Sequence, residues 1–402
     1  MRFLYTSGIY LYGATITLAS VFNSKAKRWK KGRKNWKNQL PNTQQREVIW
    51  FHCASLGEFD QGLPLMELFK KKDPDLFLLV TFFSPSGFEH YHKRNHCADH
   101  VCYLPLDTPS NALTFIRHFN PKIALFVKYE FWGNLILEAK QGGARVVNVS
   151  GLFRPNQPFF KWHGGFFRKI LRQFDWFFVQ NECSGKLLTG LGLQNVQITG
   201  DTRFDRVLQH KESVAANEII EAFKDQDELI IIGSSWPQDE EILIPWINET
   251  EKKILIAPHN VDDAHIQGIV KKVTRPLVRY TQCSTGMNAE VLILDTIGHL
   301  ASAYRYGTIA YVGGGFSGSL HNILEPAVFG LPVIFGPKHT RFPEAGAFIQ
   351  SGFGFSVSTT EELRQSMECI EEDYAEISQK ESEFVEQNAG ASQRIFDQLT
   401  SS

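Results

Sequence analysis

Short apolar runs alternate with helix-length amphipathic segments along this 402-residue chain, and this alternation restricts its fold more than any other feature. It occurs in two series, one before residue 205 and one beginning near residue 228. Apolar runs separated by helices predict parallel strands that are buried on both faces of a sheet. The predicted strands are 47–53, 76–83, 122–127, 145–149 and 176–180, then 228–232, 253–257, 291–294, 308–312 and 332–335. The sequence therefore predicts two α/β domains of similar size with a cleft between them.

The bulk composition is that of a folded chain. With 43% hydrophobic and 21% charged residues, disorder is not expected, and a net charge of −1 gives no overall reason to expect nucleic acid as a partner. Length alone favours two domains. The predicted division is a membrane-anchor helix at 1–24, a basic linker at 25–46, a first domain at 47–204, a linker at 205–227, a second domain at 228–380 and a C-terminal helix at 381–402.

The N-terminus departs from this ordinary composition. Residues 3–22 carry no charge and are just long enough to cross a hydrocarbon core of ~30 Å as a helix. The cations that follow suit an anionic lipid surface, and their position after the apolar run argues against a cleaved signal peptide. They are Lys25, Lys27, Arg28, Lys30, Lys31, Arg33, Lys34 and Lys37. We expect a membrane-anchoring helix, either spanning the bilayer or lying in its interface; a helix packed on the protein is the alternative.

Cysteine and histidine spacing predicts neither a disulfide framework nor a metal site. The six cysteines have no C-x-x-C spacing, which is typical of reduced, intracellular thiols and favours a cytoplasmic catalytic part. A histidine-rich segment matches no standard zinc spacing, so we interpret it as the solvated face of a helix and expect no metal and no cofactor. Its members are His90, His92, His96, Cys97, His100 and Cys102; the other cysteines are Cys53, Cys183, Cys283 and Cys369.

A carboxylate follows the first predicted strand, at the start of a predicted helix over 58–72. Glu58 stands at a strand-to-helix turn, where the carboxyl ends of strands bind ligands, so it is a candidate general base. Ser55 precedes it by three residues, however, and that spacing is also a capping box, in which Glu58 only accepts a backbone bond. On spacing alone the capping interpretation is favoured.

A glycine-rich turn ends one strand of the second series. Gly313-Gly314-Gly315 is followed by the predicted start of a helix at His321-Asn322-Ile323-Leu324-Glu325. Backbone N–H groups at such a turn and a helix N-terminus suit a phosphate, and Glu325 could accept bonds from ribose hydroxyls. The pattern is neither GxGxxG nor a Walker motif, so dinucleotide and ATP binding are not indicated. A turn with only a packing role is the alternative.

Together these loops resemble those of the bacterial Kdo (3-deoxy-D-manno-octulosonic acid) transferases. Ser55-Leu56-Gly57-Glu58 is similar to the family's A-S-V-G-E loop, whose glutamate is the catalytic base, and the resemblance therefore assigns that role to Glu58. The segments 81–87 and 103–107 are also similar to family segments. The resemblance runs from the N-terminus to near residue 350, and its specificity lies in the order and spacing of modest motifs.

Two further motifs of the first domain resemble the family's with substitutions. Lys128 stands where the family's E-T-E-x-W-P-N motif has its first, transition-state-stabilising glutamate, and Glu130 aligns with the second. The resemblance implies that Glu130 or Lys128 takes over this role. Arg203, in a segment similar to G-N-L-K-F-D, replaces a charge-stabilising lysine and preserves its charge.

The second domain resembles the family's CMP-binding domain. Pro258 and His259 occupy the place of a P-R-H donor loop without its arginine, and Ile297, Gly298 and His299 resemble part of D-T-M-G-E. The segment from Gly313 to Pro326 is similar to the family's CMP site. The resemblance implies a donor site at Pro258, His259, Ile297, Gly298, His299, Gly313, Gly314, Gly315, His321, Asn322, Ile323, Leu324 and Glu325.

The resemblance implies a fold and an activity. The expected fold is GT-B, with two Rossmann-like domains facing a cleft and an N-terminal membrane-anchor helix, the first domain binding the acceptor and the second the CMP-sugar. The expected activity is inverting transfer of Kdo from CMP-Kdo to the lipid A precursor (lipid IVA) of lipopolysaccharide, at the cytoplasmic face of the inner membrane. A GT-B enzyme using another nucleotide sugar and a non-catalytic, membrane-associated nucleotide-binding protein are the alternatives.

Overall fold

The structure is a computed structural model that describes residues 2–283 and 288–401. The chain forms two compact units, one of Met1–Arg206 with Asn388–Ser402 and one of Val207–Gln387. Each unit contains one parallel sheet of seven strands.

The sheet of the first unit has the order β3-β2-β1-β4-β5-β6-β7, which is the Rossmann arrangement extended by one strand. Every residue of β1, β2 and β4 is buried, as expected for central strands covered on both faces. Alternate residues face opposite layers: Trp50 packs with Phe115 and Phe126, whereas Phe51 packs on the other face with Phe69. The strands are β1 Val48–Cys53, β2 Phe77–Phe82, β3 His100–Tyr103, β4 Ile123–Val127, β5 Arg145–Gly151, β6 Trp176–Val179 and β7 Val196–Ile198.

Helices connect these strands in the order that the alternation predicts. Those of this unit are α1 Arg2–Ala19, α2 Ser24–Gly32, α3 Leu56–Lys72, α4 Pro85–His90, α5 Pro109–Phe119, α6 Gly133–Gln141, α7 Gly165–Leu171 and α8 Glu182–Thr189. The histidine-rich segment differs from its prediction. Only part of it is helical, and His100 and Cys102 lie in β3, at the edge of the sheet.

The N-terminal segment forms two helices, and one side of α1 is buried while the other is exposed. Ile9 and Gly13 of α1 are buried, while Phe3, Leu11 and Leu18 are exposed. In the part of the chain that the structure describes, no helix is both long and apolar enough to cross a bilayer. The expected basic linker contains α2 and a short 3₁₀ helix at Trp36–Gln39 instead.

One member of the basic cluster is structural. Arg33 is buried against the rings of Trp29, Phe83 and Tyr103, and its Nε donates to Leu104 O at 2.8 Å. Burial lowers the pKa of the guanidinium to about 9. Arg33 therefore anchors α2 on the first unit and is not available to a lipid headgroup, in contrast to the expectation for the cluster.

The second unit repeats the architecture, with strand order β10-β11-β9-β8-β12-β13-β14. Its strands are β8 Leu229–Ser235, β9 Lys253–Pro258, β10 Leu277–Arg279, β11 Val291–Ile293, β12 Ile309–Val312, β13 Val333–Phe335 and β14 Gly354–Ser356. The expected linker at 205–227 is mostly helical: α9 Thr202–Ser213 crosses the boundary between the units, and α10 Glu218–Lys224 follows. The remaining helices are α11 Pro237–Glu249, α12 Asp263–Lys272, α13 Leu300–Ala303, α14 Leu324–Ala327, α15 Pro343–Ser351, α16 Thr360–Glu372 and α17 Tyr374–Asn388.

The last helix, α18 Ala391–Thr400, returns to the first unit. Its Ile395 and Leu399 complete the core layer around α3. The carboxylate of Asp205 accepts bonds from Gly390 N at 2.5 Å and Ser392 N at 2.6 Å, and so caps the start of α18. The single C-terminal helix expected at 381–402 is therefore two helices, which belong to different units.

Candidate active site

Glu58 lies where the sequence predicts, in the first turn of α3 and directly after β1. Its Oε2 accepts a hydrogen bond from Ser55 N at 3.1 Å and a second from Ala54 N. The side chain is a helix cap, as the capping-box spacing predicts, but it is also almost fully buried, at 8% exposed. The two interpretations of Glu58 are therefore compatible, because one carboxylate oxygen makes the cap bonds.

The surroundings of Glu58 suit a proton acceptor at neutral pH. Burial, together with the negative charge of Glu130, outweighs the two backbone bonds and the cation of Lys128, and raises the pKa of Glu58 to about 7. A general base works best when its pKa is close to the working pH. A carboxyl with its ordinary pKa would be a much weaker base.

Glu130 is held by a buried chain of hydrogen bonds that the sequence analysis missed. Its Oε2 accepts from Trp132 Nε1 at 2.7 Å and lies 3.1 Å from His52 Nε2, which Trp132 Nε1 also approaches at 3.0 Å. On the other side of the ring, His52 Nδ1 lies 3.2 Å from Thr81 O and 2.9 Å from Thr81 Oγ1, which accepts from Trp50 Nε1 at 2.9 Å. A histidine inside an apolar strand was the available sequence signal, since buried polar groups require partners.

Lys128 adopts a backbone conformation that is unusual for its residue type. It follows β4 with φ of +58°, in the left-handed region that non-glycine residues rarely enter. Its carbonyl accepts from Asn148 Nδ2 at 2.9 Å, and its N–H donates to Val149 O at 2.9 Å. Such conformations cost roughly 1–3 kcal/mol and persist where the surrounding structure enforces them, often at functional sites. Its ammonium lies near enough to lower the pKa of both Glu58 and Asp201.

Arg203 is paired with a buried carboxylate. Its guanidinium contacts Asp201 Oδ2 at 2.7 and 2.8 Å. Burial alone would raise the pKa of Asp201, but the charge and hydrogen bonds of Arg203 outweigh it and hold this pKa below its ordinary value. Gln61, one turn after Glu58 on α3, donates to Asp201 Oδ1 at 2.9 Å and brings the pair beside that helix. The pair as a whole carries no net charge, in contrast to the isolated cation that the motif suggested.

The four residues predicted for catalysis thus belong to one part of the first unit. They are Glu58, Lys128, Glu130 and Arg203, and the structure adds His52, Gln61, Trp132 and Asp201 as their supports. Gln61, Trp132 and Asp201 lie two or three residues from a predicted residue in the sequence, but local spacing gave no reason to single them out.

The glycine-rich turn of the second unit is packed tightly. Gly314 has φ of +92°, and a Cβ on Gly313 would lie 2.2 Å from Ser234 O. A Cβ on Gly315 would lie 2.4 Å from Gly336 N. Glycine is therefore required sterically at all three positions. This packing role accounts for the glycines whether or not the turn also binds a phosphate.

A buried carboxylate fixes this turn. Asp239, at the start of α11, accepts from Gly314 N at 3.0 Å, Trp236 N at 2.9 Å and Tyr311 Oη at 2.8 Å. Burial raises its pKa, although these bonds act in the opposite direction. The turn is thereby tied to the ends of both β8 and β12.

Two of the predicted donor residues join a stack of rings. His259 stacks on Trp236 with centroids 4.1 Å apart, and His321 lies 4.8 Å from His259. Burial and the neighbouring His259 lower the pKa of His321 to about 4, so its ring is neutral near pH 7. Pro258 ends β9 just before the stack. Trp236, which the sequence analysis did not single out, completes a cluster of aromatic rings on which a nucleobase could stack.

The helix expected at His321 begins later and is short. α14 covers only Leu324–Ala327, with Ile323 as its N-cap residue, so the expected contribution of a helix dipole is small. The N–H of His321 is already bonded to Gly313 O at 3.1 Å. Asn322 Nδ2 donates to Glu325 Oε1 at 3.2 Å, which places these two side chains together.

The remaining donor residues form a separate group. His299 stacks on Tyr280 at 4.6 Å, Gly298 has φ of +100°, and Ile297 is 62% exposed. This group follows β11 in the chain, whereas the ring stack follows β8, β9 and β12. Among the described residues, no cluster of three or more histidine, cysteine, aspartate or glutamate side chains is arranged to hold a metal ion.

Comparison with known proteins identifies the family. The family model described as 3-deoxy-D-manno-octulosonic-acid transferase (kdotransferase) matches residues 27–206. The 3-deoxy-D-manno-octulosonic acid transferase of Chlamydophila psittaci is 30% identical over 312 residues, which cover 75% of this chain and 71% of that protein. The chain belongs to the Kdo transferase family. It is therefore a glycosyltransferase.

A second member and two solved structures complete the comparison. The Kdo transferase of Aquifex aeolicus is 28% identical over 324 residues, covering 79% of this chain and 84% of that protein. MurG of Acinetobacter baumannii matches with a TM-score of 0.55 at 12% identity, over 89% of this chain and all of that one. The UDP-GlcNAc 2-epimerase of Methanocaldococcus jannaschii has a TM-score of 0.55 at 15% identity, over 81% and 92%. These structures show the fold alone: this Kdo transferase family member has a two-domain α/β fold of the GT-B type.

Proposed function

We propose that this enzyme transfers Kdo from CMP-Kdo to the lipid A precursor of lipopolysaccharide, with inversion at the anomeric carbon. The observation that carries this proposal is Glu58, a buried carboxylate at a strand end whose pKa is about 7. Membership of the Kdo transferase family supplies the transferred sugar.

The proposed reaction is one direct displacement. Glu58 takes the proton of an acceptor hydroxyl, and the oxygen attacks C2 of Kdo as the C2–O bond to the phosphate of CMP breaks. The bonding pair of that bond leaves with the CMP phosphate. Glu130, held by His52 and Trp132, and the cation of Lys128 lie around the base, where they set its pKa and the local field. A positioned base contributes typically ~10²–10⁴-fold in rate.

The donor would bind in the second unit. The ring stack of Trp236, His259 and His321 offers a face for the cytosine, and the turn at 313–315 a backbone surface for the phosphate. Since His321 is neutral and α14 is short, the phosphate charge needs another partner. Lys338 is well situated for this role, because it is exposed and its N–H donates to Gly315 O at 2.7 Å.

The N-terminal helices have features that suit a lipid acceptor. The exposed apolar face of α1, followed by the lysines of α2, has the character of a helix that lies in a membrane interface. A cleft of about 520 Å³ beside α2 has apolar walls that include Trp36, Leu40 and Phe88; its lining also contains Lys31 and the ion pair of Arg28 with Glu89. Such a cleft suits a phosphorylated lipid. We therefore place the enzyme on the inner membrane, with its catalytic units on the cytoplasmic side.

The deciding experiment uses the purified full chain. Incubation with CMP-Kdo, generated in situ, and acylated lipid A precursor should give a product heavier by one or more Kdo residues, as measured by mass spectrometry. Glu58→Ala should lose most of this turnover while still being stabilised by CMP, because the proposed donor site lies in the other unit. No Kdo product, or stabilisation by UMP and UDP instead of CMP, would indicate another nucleotide sugar. Normal turnover by Glu58→Ala would refute the assigned base.

A further inference from the structure

The first turn of α6 is capped by groups that come from elsewhere in the first unit. Gly133 N donates to the hydroxyl of Tyr5, in α1, at 3.0 Å. Asp107 accepts from Asn134 N at 3.0 Å and from Leu135 N at 2.7 Å. Tyr5 in turn donates to Asp107 at 2.6 Å. The helix has no side-chain cap from its own N-cap residue, so α1 supplies a group that this helix start requires.

Glu130 lies in the short segment just before α6. Trp132 precedes the helix and donates to Glu130 at 2.7 Å. The Trp132 ring packs on Phe83 with centroids 4.6 Å apart, and Phe83 stacks on Tyr12 of α1 at 6.2 Å. The segment from Glu130 to α6 is therefore held by α1 at two points. Tyr5 binds the start of the helix directly, and Tyr12 supports Trp132 through the ring of Phe83.

The side of α1 that makes these contacts is fixed to the protein along its length. Arg2 donates to Asn134 Oδ1 at 2.9 Å and to Glu138 at 2.9 Å. A Cβ on Gly13 would lie 2.7 Å from Leu106 Cδ2, so this glycine allows the close approach. Arg2, Tyr5, Ile9 and Gly13 recur at helical spacing and define one side. The opposite side carries the exposed apolar residues.

We propose that α1 is a lipid-responsive clamp on the segment that carries Glu130, with Tyr5 as its positioning residue. A lipid surface would bind the exposed side of α1, stabilise the helix in its docked position, and so hold the start of α6 and the carboxylate of Glu130 in place. A ligand shifts an equilibrium only by its preference for one state, and the exposed side chains of Leu4, Leu11 and Leu18 share one side only while α1 is helical. This inference rests on the proposed function for its lipid surface and its reaction.

The first test removes one oxygen atom. Tyr5→Phe keeps the ring, which packs on Phe166 at 4.9 Å, and removes the hydroxyl that serves Gly133 and Asp107. We expect kcat to fall about tenfold, the effect of roughly one lost hydrogen bond to a charged or buried group, with the KM for CMP-Kdo unchanged. Tyr374→Phe is the matched control, since Tyr374 lies in α17 of the second unit, outside the proposed clamp. It should retain wild-type turnover.

A double-mutant cycle asks whether Tyr5 acts through Glu130. If it does, Tyr5→Phe should have no further effect on kcat in a Glu130→Gln background, because the group being positioned is already gone. Losses that multiply in the double mutant would overturn the proposal. So would a Tyr5→Phe enzyme with turnover within twofold of the wild type.

Hydrogen exchange tests the lipid response without using activity. Vesicles of phosphatidylglycerol and phosphatidylethanolamine should slow exchange in the peptide covering 130–138 as well as in α1, and this coupling should weaken in Tyr5→Phe. Protection of α1 alone would overturn the clamp. The two proposals fail separately: coupled exchange without Kdo transfer refutes the proposed function, whereas Kdo transfer with an uncoupled α6 refutes only the clamp.

Discussion

Replacing Glu58 by glutamine should stabilise the first unit at high pH. Glutamine keeps an oxygen that can accept from Ala54 and Ser55, but it carries no charge to be buried. The pKa of Glu58 is raised from 4.5 to about 7, mainly by burial. Because each pKa unit corresponds to about 1.4 kcal/mol, the charged side chain costs the folded state about 3 kcal/mol once both states are ionised.

The sign of this effect depends on the pH at which Glu58 loses its proton in the unfolded and in the folded protein. As pH rises above 4.5, the unfolded chain releases its proton while folded Glu58 keeps it until about pH 7, so the wild-type protein loses stability over this interval. Glutamine has no such proton. Relative to the wild type, Glu58→Gln should therefore gain about 2 kcal/mol between pH 5.5 and pH 8.

Hydrogen exchange of peptides from β1 and α3, measured by mass spectrometry at both pH values, gives the unfolding free energy of this unit separately from the other. Glu67→Gln, on the same helix, is the matched control. Glu58→Gln should also lose turnover, and the wild-type kcat/KM should rise with pH through a midpoint near pH 7. A stability difference between Glu58→Gln and the wild type that is the same at pH 5.5 and pH 8 would refute the burial of a charge at this position.

Three further changes probe the second unit. Glu381 is fully buried, neither of its carboxylate oxygens has a hydrogen-bond partner among the described residues, and burial raises its pKa. Glu381→Met should therefore stabilise the protein by about 2 kcal/mol at pH 8, as measured by urea unfolding, and by less at pH 5. Asp239→Ala removes the oxygen that accepts from Gly314 N and Trp236 N, so the glycine turn loses its anchor; a rise in the KM for CMP-Kdo with a lower Tm is expected, and an unchanged KM would contradict a role in the donor site. Lys338→Met should raise the KM for CMP-Kdo about tenfold with little change in kcat, whereas Lys271→Met, on α12, should leave both constants unchanged in the same steady-state assay.

The central strands could be predicted from the sequence, and the edge strands could not. β1, β2 and β4 are continuous apolar runs because both faces are covered. The edge strands β3 and β7 are three or four residues long and largely half-buried, so their residues carry no comparable apolar signal. The helix α18 was placed near the right residues, but its packing on α3 depends on tertiary contacts that no local pattern contains.

The candidate site also contains residues that local sequence patterns could predict and residues that they could not. Glu58 was found through a capping box and a strand end, which are both local. His52 and Asp201 depend on partners 29 to 140 residues away, as with Thr81 and Gln61, and no local spacing predicts such pairs. The pKa of Glu58 is likewise a property of its surroundings. The sequence could single out Glu58 as a candidate base, whereas the raised pKa of its carboxyl could be found only from the structure.

The return of α18 to the first unit affects how the protein is made. About 180 residues of the second unit, Val207–Gln387, are synthesised between the body of the first unit and the helix that completes it. At a ribosomal rate of ~5–20 residues per second, this interval lasts roughly 10 to 40 s. During that time the apolar surface later covered by Ile395 and Leu399 stays open to water. The nascent first unit therefore lacks part of one core layer until residues 391–400 leave the ribosome.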